Sequence, residues 1–290
     1  MTTADLSTAE LGMPEVRGPS AVGGGWQRFL RLTWVISRTD YKLTYFGSAL
    51  GYVWSFMQPL LFFGVLYLVF ALILQFNKDV PDFPVLLLMN IVLFGFFQQG
   101  TGGAITSVVQ REGLVRKMHF PRLVIPLATV VTVSINLFFN LLVVLLFMVS
   151  YGVRPRLTWL LMPVLVLALF MLTTGIAMLL SALYVRYRDV SPIWGVISQA
   201  LYFASPVFIL INSVLVHGPT VTRLYLFNPL AMILQQARHW MIGGPVGGAS
   251  PATLMGGGVW LLVPIGLILG VCVLGYWVFS REAPRIAEEL

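Results

Sequence analysis

Charge is what this sequence lacks along its longest stretches. No Asp, Glu, Lys or Arg occurs in Gly51–Asn77, Phe83–Gln110, Leu123–Val153, Leu157–Val185, Val190–Ile211 or His239–Ser280. A charge at bilayer depth costs several kcal/mol, so apolar runs of this length predict membrane spans. Ion-coupled transporters keep a buried carboxylate, His or Arg to carry the coupling ion. These runs hold no carboxylate or arginine for that purpose, so the energy for any transport must come from elsewhere. Strict apolar–polar alternation is also missing, and that excludes the strands of a membrane barrel.

Other absences remove whole classes of chemistry. Cysteine occurs once, at Cys272, so neither an internal disulfide nor a cysteine-based metal site can form. No Lys follows a Gly, and a phosphate-binding loop of the Walker type is therefore excluded. His119, His217 and His239 have no metal-ligand spacing. The few carboxylates sit mainly near the two ends, and no pair is placed for general acid–base work. The sequence thus predicts no catalytic residue, no metal and no cofactor within this chain.

What is there is apolar. Of 290 residues, 58% are hydrophobic and 10% charged, against about a quarter charged in soluble domains, so the class is an all-α polytopic membrane protein. Six spans are expected, near Tyr52–Leu74, Pro84–Val108, Arg122–Ser150, Trp159–Tyr184, Pro192–Ile211 and Val259–Phe279. An even number places both termini on one side. Thirteen basic residues, among them Arg28, Arg111, Arg116, Arg186 and Arg281, share that side, and five face the other: Lys78, Arg154, Arg156, Arg223 and Arg238. The asymmetry predicts cytoplasmic termini and accounts for the net charge of +7 without nucleic acid.

Three organisational units follow. Residues 1–25 lack an apolar core segment and read as a disordered cytoplasmic tail, residues 26–46 as an interfacial amphipathic helix, and residues 47–290 as the transmembrane domain. In the interfacial helix, Arg28, Arg31, Arg38 and Lys42 fall within an arc of about 80°. Phe29, Leu32, Ile36 and Leu43 form an apolar stripe beside it. The basic arc suits an anchor on anionic lipid, or contact with a phosphate-bearing substrate. Between the fifth and sixth spans, Asn228-Pro229 is a helix start, with Asn as cap and Pro in the first turn. The helix that follows is short and carries Arg238, so it is expected to dip into the outer leaflet without crossing. Ser205-Pro206, beside Tyr202, Phe203 and Phe208, is the best candidate for a functional break in a span.

One cytoplasmic loop stands out. Gln110–Arg122 has mixed charges (Arg111, Glu112, Arg116, Lys117, Arg122), with Leu114, Val115, Met118 and Phe120 spaced as one helical face. Such a face either rests on lipid or docks a partner.

Four stretches carry a family resemblance. Asp40-Tyr41-Lys42-Leu43-Thr44-Tyr45-Phe46-Gly47-Ser48-Ala49-Leu50-Gly51-Tyr52-Val53-Trp54 resembles the pattern D-x-K-x-R-Y-x-x-S-x-L-G-x-x-W, with Thr44 where a basic residue is common. Leu114–Pro126 resembles L-I-x-K-x-x-F-P-R-x-x-x-P, preceded by Glu112-Gly113 where Asn is common. Arg188-Asp189 followed by Ser205-Pro206, and Asn228-Pro229-Leu230 with Arg238, complete the set. Together they are similar to the ABC-2 type permease subunits of polysaccharide exporters, which move O-antigen, capsule or teichoic acid precursors. The resemblance implies six transmembrane helices per subunit, a homodimer, and two copies of a separate cytoplasmic ATPase that holds ATP and Mg. It also implies short re-entrant helices between the fifth and sixth spans, in a bacterial cytoplasmic (inner) membrane. Arg111, Glu112, Leu114, Val115, Arg116, Lys117 and Phe120 would then belong to a coupling helix seated in the ATPase.

Sugars stack on aromatic faces, so Trp54, Tyr202, Phe203 and Phe208 are candidates to line a translocation path for a lipid-linked glycan. Three other readings stand beside this one: an ABC-2 permease for a drug or small lipophile, a polytopic enzyme acting on lipid-linked sugars, and an ion channel.

Overall fold

The computed structural model describes residues 25–45, 51–75, 82–113, 121–207, 211–243 and 248–283. Among these the secondary structure is helical throughout, with no strand. A lipid environment offers backbone groups no water, and a helix satisfies them within one segment. The elements are α1 (Trp26–Tyr45), α2 (Val53–Tyr67, continued by a π-helix over Leu68–Ile73), α3 (Phe83–Gln110) and α4 (Val124–Ser150). They continue with α5 (Met162–Arg186, entered through a 3-10 turn at Leu157–Leu161), α6 (Val190–Ala204) and α7 (Ile211–Leu215). Last come α8 (Pro219–Phe227), α9 (Pro229–Met241), α10 (Pro251–Leu254) and α11 (Leu262–Glu282, entered through Gly258–Leu261).

Five of these segments are long and apolar enough to cross a membrane: Val53–Ile73, Phe83–Gln110, Val124–Ser150, Leu157–Arg186 and Gly258–Glu282. They match five of the six expected spans to within a few residues. The remaining one, expected over Pro192–Ile211, is the shorter α6. Its fifteen residues reach roughly 22 Å, less than the ~30 Å hydrocarbon core. Ser205-Pro206 sets the limit, because Ser205 is extended and Pro206 has no N–H to continue the ladder. Just beyond the break, the Pro206 and Val207 carbonyls accept from the buried Asn90 Nδ2 of α3, at 2.9 and 3.3 Å.

α3 is the central helix, with 83% of its most apolar stretch buried, whereas α2 buries none of its own. α4, α5 and α6 pack around α3, and α11 packs along α5. Small residues make that last contact close: a Cβ on Gly275 would stand 2.2 Å from the Gly175 carbonyl oxygen, and one on Gly175 would stand 2.8 Å from the Cys272 nitrogen. α4 ends in a left-handed glycine, Gly152 (φ +89°). Gly152 N–H donates to Val149 and Val153 N–H to Met148, which satisfies the last carbonyls of the helix.

The bundle has two distinct ends. At one, Phe29 of α1 packs with Val108, Val124, Ile125, Val185, Phe279 and Ala283, which are contributed by α3, α4, α5 and the end of α11. At the other, α7 to α10 form a layer of short helices over α3, α5 and α11. As expected, Asn228 caps α9: its Oδ1 accepts from Leu230 N–H at 3.1 Å.

Candidate functional site

The site is built from the first end of the bundle inward. α1 lies along α4 through hydroxyls: Ser37 Oγ donates to the Ala128 carbonyl at 2.9 Å, and Thr132 Oγ1 donates to the Ser37 carbonyl at 3.3 Å. The fully buried residues of α1 are Phe29, Thr33 and Ser37, and Leu32 and Ile36 of the expected apolar stripe pack half-buried against the same cluster. Leu43 is 69% exposed. The predicted basic arc does face outward, with Arg28, Arg31, Arg38 and Lys42 all exposed beside the exposed Trp26 and Trp34.

Asp40, at the inner edge of α1, forms an ion pair with Arg111, the residue that ends α3. Both side chains are about three-quarters buried. Of the residues predicted to couple to an ATPase, Arg111 is thus tied to α1. Glu112 follows it on the same turn, half-buried, while Leu114, Val115, Arg116, Lys117 and Phe120 lie outside the described residues. Arg122, just before α4, is buried, and burial lowers its pKa.

The ion pair stands at the mouth of a cavity of about 690 Å³ between α1, α2, α3 and α4. Tyr45, Trp54, Gln58, Gln99, Ser107 and Asn136 are among its lining residues. Tyr45 O–H donates to Asn136 Oδ1 at 3.0 Å, and burial raises the pKa of its phenol. Tyr41, Tyr45 and Tyr52 cluster beside it with ring centroids 5.2–5.5 Å apart, Tyr41 stacked on Tyr52 and edge-on to Tyr45. Deeper, a cavity of about 240 Å³ shares Gln58 and Gln99 and reaches Phe62, Phe94 and Tyr202.

The structure separates the predicted aromatic path residues. Trp54 is half-exposed and lines the outer cavity. Tyr202 is 7% exposed, edge-on to Phe94 at 4.9 Å, and lines the inner one. Phe203 is 57% exposed and lines neither, and Phe208 lies outside the described residues. The carboxamides Gln58, Gln99, Asn136 and Asn140 were missed by the sequence reading. Their signal was present: Thr129, Thr132, Asn136 and Asn140 recur at i, i+3, i+7 and i+11, one face of a helix.

At the opposite end, Arg238 is 2% exposed and its Nε finds no partner among the described residues; burial pushes its pKa down to about 10. Arg223 lies over the Trp260 ring at 5.1 Å, and its Nε donates to the Met255 carbonyl at 2.7 Å. No cluster of three or more metal-ligating side chains occurs among the described residues.

The arrangement is a polar, nearly uncharged cleft inside an apolar bundle. It offers hydrogen bonds and aromatic faces to a passing solute. Comparison with known proteins agrees with a transport role. The sequence profile described as "ABC-2 type transporter" matches residues 31–242. Among similar proteins are two from Klebsiella pneumoniae named "O-antigen export system permease protein RfbA", 26% and 25% identical over 257 residues, 88% of this chain and 93% of theirs. A protein of the same name from Myxococcus xanthus is 30% identical over 168 residues, 58% of this chain and 64% of its own. The profile covers well over half of the sequence, and the chain is an integral membrane subunit that belongs to the ABC-2 type transporter family.

Proposed function

We propose that the chain is the permease subunit of an ATP-driven exporter that moves a lipid-linked polysaccharide, of the O-antigen or teichoic acid kind, across the bacterial cytoplasmic membrane. Similarity to O-antigen export permeases along 88% of the sequence carries this reading. The charge-free spans support it, since they hold no group for ion coupling and the work must arrive through a contact outside the membrane. In this reading two copies of the chain pair in the membrane, and two copies of an ABC ATPase, with ATP and Mg, dock at the end where α1 lies. Both termini face the cytoplasm, and α6 provides the short fifth of six crossings. The layer from α7 to α10 dips into the membrane near the exit. Arg28, Arg31, Arg38 and Lys42 meet lipid phosphate, and the loop from Arg111 to Phe120 seats in the ATPase.

The test is gentle purification of the chain from its native membrane, followed by an ATPase assay. A soluble ATPase is expected to co-purify in equal number. Leu114→Ser, Val115→Ser and Phe120→Ser together are expected to release it and to leave glycan inside the cell. If no ATPase accompanies the chain, or surface glycan persists when the chain is deleted, the export reading is lost.

A further inference from the structure

The most enclosed helix of the bundle opens along one strip. Most of α3 is buried, yet Gln98, Gln99, Gly102, Gly103 and Gln110 are exposed. Gln99, Gly103, Ser107 and Gln110 stand at i, i+4, i+8 and i+11, on one flank of the helix. α4 turns Asn136 and Asn140 to the cavities beside that flank, and α2 adds Gln58. Three cavities share Gln58 and Gln99, and together they follow α3 from Ile91 to Arg111. Twenty residues of helix rise about 30 Å, the thickness of the hydrocarbon core.

Lipid cannot fill such a cleft at low cost, because a carboxamide against acyl chains leaves its donors and acceptor unpaired. The side chains of Gln58 and Gln99 find no hydrogen-bond partner among the described residues. Asn136 accepts from Tyr45 through Oδ1 and keeps its own N–H groups free; Asn140 donates to the Asn136 carbonyl and keeps Oδ1 free. A carboxamide pairs two donors with one acceptor and carries no charge. A sugar hydroxyl is likewise both donor and acceptor. Among the described residues, the only full charges lining the cleft, Asp40 and Arg111, neutralise each other at its mouth.

We propose that the carboxamide flank formed by Gln58, Gln99, Asn136 and Asn140 recognises the hydroxyl groups of the exported glycan. The inference rests on the export reading above. Neutral hydrogen bonds are individually weak, so a row of them holds a polyhydroxylated chain without trapping it, as conduction requires. Trp54 and Tyr202, in the outer and inner cavities respectively, supply ring faces along the same run.

The experiment uses the complete transporter in its host membrane. On a Cys272→Ser background, single cysteines replace Gln99 and Asn136, with Leu146→Cys as a control at an exposed apolar position. Variants retained for labelling are those that still bring glycan to the surface; Gln58→Cys replaces any that do not. The probe is a small hydrophilic thiosulfonate, and rates are compared with glycan synthesis on and off. Q99C and N136C are expected to react faster than L146C, and to slow markedly when glycan is made. In parallel, Gln99→Leu and Asn136→Leu are each expected to lower the export rate about fivefold, the worth of one neutral hydrogen bond. Gln99→Asn should recover part of that loss. Labelling as slow as the control would mean a dry contact, such as a second copy seated there, and would overturn the proposal. Fast labelling that glycan leaves unchanged would mean water alone, with the same consequence. Either result, in cells whose surface glycan still requires the chain, removes the flank and leaves the export reading standing. Surface glycan that survives deletion of the chain removes the export reading itself.

Discussion

At the residue scale, Asp40 and Arg111 form an ion pair about three-quarters buried. A pair at that depth is worth more than a surface bridge, and removing one partner leaves the other charge uncompensated. Asp40→Asn is expected to destabilise the purified protein by about 1–3 kcal/mol, and Asp40→Arg with Arg111→Asp to restore part of the loss. Thermal unfolding in detergent checks this, and additive effects of the two single changes would show that the pair is not coupled. Tyr225 gives a pH signature. Burial raises its pKa from 10.0 to about 12, and the Arg238 charge pulls the other way. The folded value lies above the unfolded one, so the neutral phenol contributes fully below pH 10 and loses that contribution as pH climbs through about 12. Tyr225→Phe is therefore expected to lessen the alkaline loss of stability in that window. Unfolding scans across it would show parallel profiles if the phenol does not titrate there.

At the scale of elements, two contacts fix how helices meet. α5 and α11 cross where Gly175 faces Gly275, and any side chain at Gly275 meets a backbone oxygen that cannot move aside. Gly275→Val is expected to cost about 3 kcal/mol or more, read as a lower unfolding temperature. Ala at the same place should fall between the two, and an unchanged midpoint for Val would mean that α11 can slide. α6 ends where Ser205-Pro206 breaks its ladder, and Asn90 of α3 donates to the Pro206 and Val207 carbonyls just after the break. The break was legible in the sequence as a proline inside an apolar run. The hydrogen bond that ties the Pro206 carbonyl to a residue 116 positions away was not, because nothing local links them.

At the scale of the molecule, the cleft between α1, α2, α3 and α4 divides the aromatic residues that the sequence placed on one path. Trp54 and Tyr202 line it, and Phe203 does not. Truncation to Ala of Trp54 and Tyr202 together is expected to reduce glycan export at least severalfold while the protein still purifies as a folded assembly, since a ring contact is worth roughly 1 kcal/mol. Phe203→Ala should have a smaller effect on export. Equal losses from all three, measured as surface glycan, would mean that cavity lining is not what matters.

The class and most of the spans were legible in the residue pattern alone. Charge-free runs of twenty or more residues have few solutions in a bilayer, and helix is the one that needs no partner strand. The outward basic arc of α1 and the cap of α9 were legible too, because helical periodicity and capping are local. Which residues face the cleft came from long-range packing. Asp40 and Arg111 are 71 positions apart, and Tyr45 and Asn136 are 91. Whether a carboxamide in an apolar run points to lipid, to a neighbouring helix or to a polar cavity depends on how the helices rotate against one another. That rotation is set by packing contacts distant in sequence, such as Gly175 with Gly275 and Ser37 with Ala128.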